Sequence, residues 1–290
     1  MTTSGGARLC CPDCGQALTE AASALACDGC ARRFPIHEIA RAPLLFARRS
    51  PFHAREVDIL ADKRKRLLDP EGAVRALRHW RTGNLVDLLR SVAGRKLLNF
   101  GAGDGADRAW LEGQGFQVTA IDAAPSPAAD CICDAHHLPF GDGEFEVVTS
   151  LQVLEHLYDP FRAVAEVARV LAPGGDFVGS VAFLEQFHAQ SYFHMTHLGL
   201  REVLERAGLT GIEIYPGWSF LEALGQNFWP WNLVRPVRAL SRVVNRARFR
   251  AGMGLWHVTY ALRLRRLPKE HALMYSASLI FRARRAGSRK

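Results

Sequence analysis

Four cysteines near the amino terminus have the spacing of a metal site. Cys11 and Cys14 form one C-x-x-C pair, Cys27 and Cys30 form a second, and twelve residues separate the pairs. Each pair can direct two thiolates to one point, so two pairs supply the tetrahedral sulfur shell that Zn(II) favours. Four protein ligands leave no position for a substrate, and we therefore expect a structural zinc ion. Two disulfide bonds are the alternative, less favoured because the first residues do not resemble a secretory signal.

A second set of chemistry-bearing residues follows three short apolar runs in the middle of the chain. The glycine-rich segment 101–105 follows the first run, Asp122 ends the second, and Asp134 ends the third. Glycines allow the backbone to turn tightly and to approach a ligand closely. Asp122 lies seventeen residues after Gly105, where a carboxylate is placed to accept hydrogen bonds from both hydroxyls of a ribose. Together these features predict a nucleotide-like cofactor.

The elements that must position these residues alternate between strands and helices. Short apolar runs alternate with amphipathic helical patterns from Arg95 onward, which predicts a parallel, doubly wound sheet. Ligands of such sheets bind outside the carboxyl ends of the strands. We expect strands at residues 96–100, 117–121, 130–133, 145–151, 176–182, 211–215 and 273–282.

Residues 95–215 resemble the class I S-adenosylmethionine-dependent methyltransferases, in particular the type 11 small-molecule group that includes quinone-biosynthesis enzymes. The resemblance is carried by LLNFGAGDG at 97–105, VTAID at 118–122, FEVVTSLQVLEHL at 145–157 and ARVLAPGG at 168–175, and by Asp134 with LPF at 138–140. It implies a Rossmann-like sheet of seven strands, with the last two antiparallel to each other. It also implies S-adenosylmethionine as cofactor, held by Asn99, Gly101, Gly103, Gly105, Asp122, Asp134, Ala135 and Leu151.

One residue departs from the family pattern. Asn99 stands where the family usually has aspartate, at the end of the first strand. Asparagine still supplies a hydrogen-bond acceptor but carries no charge, so we expect its attraction for the cofactor's ammonium group to be weaker than that of a carboxylate.

The amino-terminal segment has a resemblance of its own. A Phe-Pro pair at 34–35 follows the last cysteine, as in the short zinc ribbons that precede some bacterial methyltransferases. We therefore expect a zinc ribbon at 1–45, a helical linker or cap at 46–94, and a methyltransferase domain at 95–290. A length of 290 residues with 48% hydrophobic and 23% charged residues suits such a globular chain.

The positive charge of the chain is concentrated in one segment. The net charge is +8, yet ten Arg and Lys residues and no Asp or Glu lie between Glu222 and Glu270. This segment falls within an expected helical insertion at 216–271, before the last strand. Aromatic residues precede arginines at helical spacing, a pattern typical of helices at an anionic membrane surface, so residues 228–266 are the predicted membrane contact. Solvated arginines on a packed helical hairpin, a soluble anionic substrate and nucleic acid are the alternatives, nucleic acid being the least favoured.

Three histidines follow the fourth and fifth strands. His156, His194 and His197 are the candidate catalytic bases, because histidine titrates near neutral pH and can remove a proton from an oxygen or carbon nucleophile. The expected function is methyl transfer from S-adenosylmethionine to a small or lipid-like, anionic metabolite. An RNA base methyltransferase and a catalytically silent scaffold are the rival interpretations. We expect a cytoplasmic protein, with contact at the inner face of the membrane as an extension of that hypothesis. The sequence leaves the oligomeric state open.

Overall fold

The computed structural model describes residues 2–50, 83–103, 105–185, 191–217, 273 and 276–287. Two sheets are formed within these ranges. A small antiparallel sheet contains β1 (Thr19–Ala21), β2 (Ala24–Ala26) and β3 (Arg33–Pro35), in that order. The strands of the main sheet are β4 (Leu44–Leu45), β5 (Lys96–Phe100), β6 (Gln117–Asp122), β7 (Cys131–Cys133), β8 (Phe145–Leu151), β9 (Leu171–Ala182), β10 (Leu209–Pro216) and β11 (Ser278–Arg285).

The main sheet has the expected doubly wound topology. Its order is β10-β11-β9-β8-β5-β6-β7-β4. Strands β4 to β9 are parallel to one another, whereas β11 is antiparallel to both β9 and β10. This arrangement confirms the Rossmann-like fold. The topological switch point, where the order of the strands reverses, lies between β5 and β8.

The sheet contains one strand more than the seven we expected. The two-residue strand β4, from the segment after the cysteine pairs, pairs in parallel with β7 at the edge of the sheet. The amino-terminal segment also reaches the main sheet elsewhere, because Leu9 forms a bridge with Phe140 and the Thr3 hydroxyl lies 2.7 Å from that of Thr119. The amino-terminal segment is therefore in contact with the larger domain at several points, of which β4 lies at the edge of the sheet.

Four α-helices and one 3-10 turn lie within the described residues. They are α1 (Gly83–Ser91), α2 (Ala106–Gly113), the 3-10 turn Leu154–His156, α3 (Pro160–Val170) and α4 (His197–Arg206). Helix α3 begins with a proline and an Asp159 cap that accepts a hydrogen bond from the Arg162 amide, as helix starts commonly do. Thr196 caps α4 in the same way, through the Gly199 amide. Most of the predicted linker at 46–94 lies outside the described residues.

The core lies on both faces of the sheet, because successive residues of a strand point to opposite sides. In β5, Leu98 and Phe100 belong to a large cluster on one face, and Leu97 belongs to a second cluster on the other. Strands buried on both faces are typical of parallel sheets covered by helices. The strand ends, rather than the strand faces, are thus left for function.

Described residues on either side of the predicted insertion lie at the carboxyl edge of the parallel strands. Ala182, at the end of β9, pairs with Ser278 at the start of β11, and Pro216 at the end of β10 pairs with Leu279. Residues 218–272, which include the predicted membrane contact at 228–266, lie outside the described residues. The described residues that flank this stretch, Pro216 and Ser278, lie at the same edge of the sheet as the glycine-rich loop.

Candidate functional site

The four amino-terminal cysteines come together as one cluster. The sulfur atoms of Cys11, Cys14, Cys27 and Cys30 all lie within 4.8 Å of one another, with 3.6 Å between Cys11 and Cys30 and 3.4 Å between Cys14 and Cys27. A tetrahedral site with Zn–S bonds of about 2.3 Å places its sulfur atoms about 3.8 Å apart. The donor set and its dimensions therefore fit a zinc ion.

The backbone around the cluster favours thiolates. Amide groups of Asp13 and Cys14 are directed at the Cys11 sulfur, and the Cys30 amide is directed at the Cys27 sulfur. The Asp13 carboxylate also forms an ion pair with Arg32 at 2.5 Å and accepts the Arg48 amide at 2.8 Å. These contacts hold the first cysteine pair against the chain that follows the second pair.

The glycine-rich loop after β5 has the backbone shape that only glycine adopts easily. Gly101, Gly103 and Gly105 have φ angles of 89°, 55° and 86°. A Cβ atom at Gly101 would lie 2.4 Å from Val153, and one at Gly105 would lie 2.2 Å from the Cβ atom of Ala128. At Gly103 nothing lies within 4 Å of that position, so this side of the loop is open to a ligand.

Asp122 joins the glycine-rich loop to the end of β6. One carboxylate oxygen accepts the Gly103 amide at 2.8 Å, and the other accepts the Ala124 amide at 2.9 Å. Each carboxylate oxygen has a second lone pair, which leaves acceptor capacity for a diol. The open loop and the adjacent carboxylate fit the ribose end of S-adenosylmethionine.

Asn99 is buried at the carboxyl end of β5, with 1% of its surface exposed. Its Oδ1 atom lies 3.5 Å from the Thr149 hydroxyl, and its Nδ2 atom has no hydrogen-bond partner among the described residues. An unpartnered buried amide is costly, and a ligand at the strand ends would remove that cost. The carboxamide therefore fits the amino-acid end of the cofactor as a polar but uncharged contact.

We predict that Asn99→Asp strengthens the binding of S-adenosylhomocysteine about five- to tenfold, because a carboxylate oxygen in place of Oδ1 accepts a charged hydrogen bond from the ammonium group, worth about 1 kcal/mol more than a neutral one, and because the unpartnered Nδ2 donor is removed. Calorimetric titration measures the change. Methylthioadenosine is the control ligand, since it lacks the amino-acid tail and should bind both proteins equally. Equal affinity of the two proteins for S-adenosylhomocysteine would contradict the assignment of Asn99.

Asp134 and His136 form a buried carboxylate–histidine pair that was not predicted from the sequence. Asp134 is fully buried, and its Oδ1 atom lies 2.6 Å from Nδ1 of His136. The other ring nitrogen of His136 accepts the Asp159 amide at 3.3 Å, and the ring stacks on Tyr158 with 3.9 Å between centroids. The histidine contacts lower the pKa of Asp134 although burial opposes them. The carboxylate–histidine pair therefore links the end of β7 to the start of α3.

The remaining predicted residues lie along the same edge of the sheet. Ala135 and Leu151 are half-buried where β7 and β8 end, and His156 is half-buried in the 3-10 turn. His194 lies on the segment between β9 and α4, and His197 is the first residue of α4; both are half-buried. The three histidines thus follow β8 and β9, on the side of β5 away from Asp122.

A polar cluster between β8 and β9 was not anticipated from the sequence. Gln152 has a φ angle of 56°, and its carboxamide nitrogen is 2.6 Å from Oε1 of Glu155 and 3.2 Å from Oε1 of Glu185 in the orientation that makes it the donor. Glu155 is fully buried, and its Oε2 atom has no partner among the described residues. Burial raises the pKa of Glu155 to about 8 against the lowering effect of its own amide, and the nearby charge of Glu185 adds to the increase.

No helix within the described ranges combines the length and the apolar character that crossing a membrane requires.

Comparisons with known proteins find a similarity to methyltransferases. Residues 98–179 match a family model described as a methyltransferase domain. An uncharacterized methyltransferase of Mycobacterium sp. (strain JLS) is 32% identical over 146 residues, covering 45% of this chain and 58% of that protein. A ubiquinone biosynthesis O-methyltransferase of Pseudomonas aeruginosa (strain LESB58) is 31% identical over 109 residues, covering 32% of this chain and 46% of that protein.

The chain spans about half the length of the curated relatives it matches. Among solved structures, a SAM-dependent methyltransferase from Archaeoglobus fulgidus aligns with a TM-score of 0.47 at 15% identity, covering 78% of this chain and 99% of that one. The matched residues 98–179 contain the ends of β5, β6, β7 and β8, where the site lies. Residues 98–179 are thus similar to a methyltransferase domain, and the same chain carries a cluster of four cysteines near its amino-terminal end.

Proposed function

We propose that the protein transfers a methyl group from S-adenosylmethionine to a small or lipid-like, anionic metabolite. The observation that carries the proposal is the open glycine-rich loop joined to Asp122, with the 2.8 Å bond between the Gly103 amide and the Asp122 carboxylate. The named function of the Pseudomonas relative, an O-methyltransferase of ubiquinone biosynthesis, supports a small-molecule acceptor.

The proposed binding roles follow the geometry of the strand ends. The cofactor approaches the backbone of the loop closely at Gly101, Gly103 and Gly105. Asp122 accepts hydrogen bonds from its ribose, and Asn99 contacts its amino-acid end. Ala135 and Leu151 border the site as apolar contacts. Asp134, being fully buried, acts by fixing the loop that carries Ala135. The zinc ion, held by the four cysteines, has no open position and stabilises the amino-terminal unit.

The sulfonium of S-adenosylmethionine supplies a methyl group that is already activated. The protein then has to hold an acceptor in line with that group at about 3–3.5 Å and to exclude water. We propose that His156, His194 and His197 contact the acceptor and can take up its proton, because they lie on segments that follow β8 and β9.

Label transfer tests the function directly. The protein is incubated with methyl-labelled S-adenosylmethionine and with a bacterial cell extract divided into lipid and aqueous fractions. We expect label in a product of the lipid fraction. Label in neither fraction, from protein that binds the cofactor, would favour the silent scaffold, for which the uncharged Asn99 is the supporting observation.

We also propose contact with an anionic membrane surface through residues 228–266. The support is the charge of the segment, nine arginines without an acid, and the position of the flanking residues Pro216 and Ser278 at the carboxyl edge of the sheet. Tyr192 and Leu198, 63% and 64% exposed, flank the same edge. Co-sedimentation with phosphatidylglycerol vesicles should capture the protein in a salt-sensitive manner; absence of binding at low salt would remove the membrane contact from the proposal.

A further inference from the structure

The polar cluster between β8 and β9 has the chemistry of a proton acceptor. Gln152, Glu155 and Glu185 come from two separate parts of the chain, and one carboxamide nitrogen lies within 3.2 Å of both carboxyl groups. Two carboxyl groups held this close cannot both ionise easily, and they titrate as a pair rather than singly. We call Glu155 and Glu185 the carboxyl pair.

The carboxyl pair borders the candidate methyl-transfer site. Val153, next to Gln152, is the side chain against which a Cβ atom at Gly101 would collide at 2.4 Å. The Gln152 amide donates to the Ser180 carbonyl at 3.0 Å, across the paired ends of β8 and β9. Gln152, which contacts both members of the carboxyl pair, is therefore adjacent to a side chain that touches the glycine-rich loop, on the side of β5 opposite Asp122.

The backbone holds this arrangement firmly. The Glu155 carbonyl accepts two amides, from Tyr192 at 2.7 Å and from Phe193 at 3.1 Å, and the Met195 amide donates to Ala182 at 2.9 Å. The segment after β9 is thereby fixed over the turn that carries Glu155. Gln152, a residue other than glycine with positive φ, is the kind of strained position that is retained at functional sites.

We propose that the carboxyl pair receives the proton of the acceptor, and that the acceptor group is consequently a hydroxyl. Glu185, the half-buried member, meets the hydroxyl, and Glu155 beneath it is a positioning residue that makes the pair basic. This inference rests on the proposed methyltransferase function and specifies its acceptor.

The step balances without a further reactant. The acceptor O–H bond breaks as the new O–CH₃ bond forms, and the electron pair of the broken C–S bond stays on the sulfur of the departing S-adenosylhomocysteine. The proton goes to the carboxyl pair, directly or through a neighbouring histidine, and then to water once the product has left.

Burial gives the pair the basicity that this role requires. A carboxylate of ordinary pKa is a poor base toward a hydroxyl, and enzymes raise carboxyl pKa values by desolvation to match the working pH. The pKa of Glu155 is raised to about 8, mainly by burial and further by the charge of Glu185, while its own amide and that of Ala182 act in the opposite direction. The other titratable groups on the adjoining segments are His156, Tyr192 and His194.

Nitrocatechol is a suitable probe, because its absorbance reports loss of a phenolic proton without any methyl transfer. The protein saturated with S-adenosylhomocysteine is titrated with nitrocatechol below the pKa of the free probe. We expect the phenolate spectrum on binding, at least tenfold weaker in Glu185→Gln. Glu202→Gln is the matched control, since Glu202 is an exposed residue of α4 paired with Arg206 at 2.7 Å, and it should behave as the wild type.

Glu155→Gln separates positioning from catalysis. It leaves Glu185 without its neighbouring carboxyl, so the pH at which the phenolate signal is half-maximal should move toward the acid side. The melting temperature supplies a second readout. Since the pKa of Glu155 is higher in the folded protein than in the unfolded chain, wild-type stability should fall as pH rises from about 5 to about 8 and then level off, and Glu155→Gln should lack this fall.

Two results would overturn the inference. One is wild-type protein that binds S-adenosylhomocysteine but produces no phenolate signal. The other is a signal lost in His194→Ala and retained in both glutamate variants, which would assign the proton to histidine. Failure to bind S-adenosylhomocysteine at all would instead contradict the proposed function on which the inference rests.

Discussion

Gly105→Ala should abolish measurable binding of S-adenosylmethionine while leaving the zinc content unchanged. The φ angle of Gly105 is 86°, a region that costs a residue with a side chain about 1–2 kcal/mol. In addition, the new Cβ atom would lie 2.2 Å from that of Ala128, so the loop must move. A displaced loop withdraws the Gly103 amide from Asp122, and we expect at least a hundredfold loss of affinity in calorimetric titration.

Gly113→Ala is the matched control for this substitution. Gly113 ends α2, only eight residues away, and nothing lies within 4 Å of the position of its Cβ atom. The same chemical change should therefore leave cofactor affinity as it is, and it should stabilise the helix slightly. Wild-type affinity in Gly105→Ala, or equal losses in both variants, would contradict the assignment of the loop.

Cys27→Ser should lose the zinc ion and open the amino-terminal unit. Cys27 is buried in the same cluster of apolar residues as Phe34 and Leu45, so loss of the metal exposes a surface that is continuous with the main core. Structural zinc sites contribute about 10 kcal/mol or more to folding. We expect a zinc content near zero by atomic emission and rapid proteolysis within residues 2–50.

Cys10→Ser separates the loss of a ligand from the loss of a buried thiol. Cys10 adjoins Cys11 but lies outside the four-cysteine cluster, and it is buried to a similar degree. This variant should keep its zinc ion and its resistance to protease. A Cys27→Ser protein that retains zinc and stays intact would show that the four sulfur atoms do not form one metal site.

The features that could be predicted from the sequence are those governed by local spacing. Strand β8 has the predicted bounds, because a short run rich in β-forming residues (Phe145, Val147, Val148 and Thr149) stands between turn signals. The four cysteines come together because each C-x-x-C turn is a local structure. Each turn can form on its own before the two cysteine pairs meet. The glycine-rich loop likewise has its positive φ angles where the glycines stand.

The features that could not be predicted depend on tertiary register. Gln152 and Glu185 are separated by more than thirty residues and meet only because Leu151 pairs with Ser180 across two strands. Strand β4 has two residues, too few for a periodic signal, and it exists because the edge of β7 is available to it. The role of His136 follows from a turn that begins at Asp134, in which the ring folds back onto the preceding carboxylate.

Calorimetric titration of the purified protein with S-adenosylmethionine and S-adenosylhomocysteine, with zinc measured on the same sample, tests the central claim most directly. The structure predicts a single site per chain, with micromolar affinity for both ligands, in protein that contains one zinc ion. Absence of binding in zinc-loaded, folded protein would contradict the claim and would make the silent scaffold the better account of the fold.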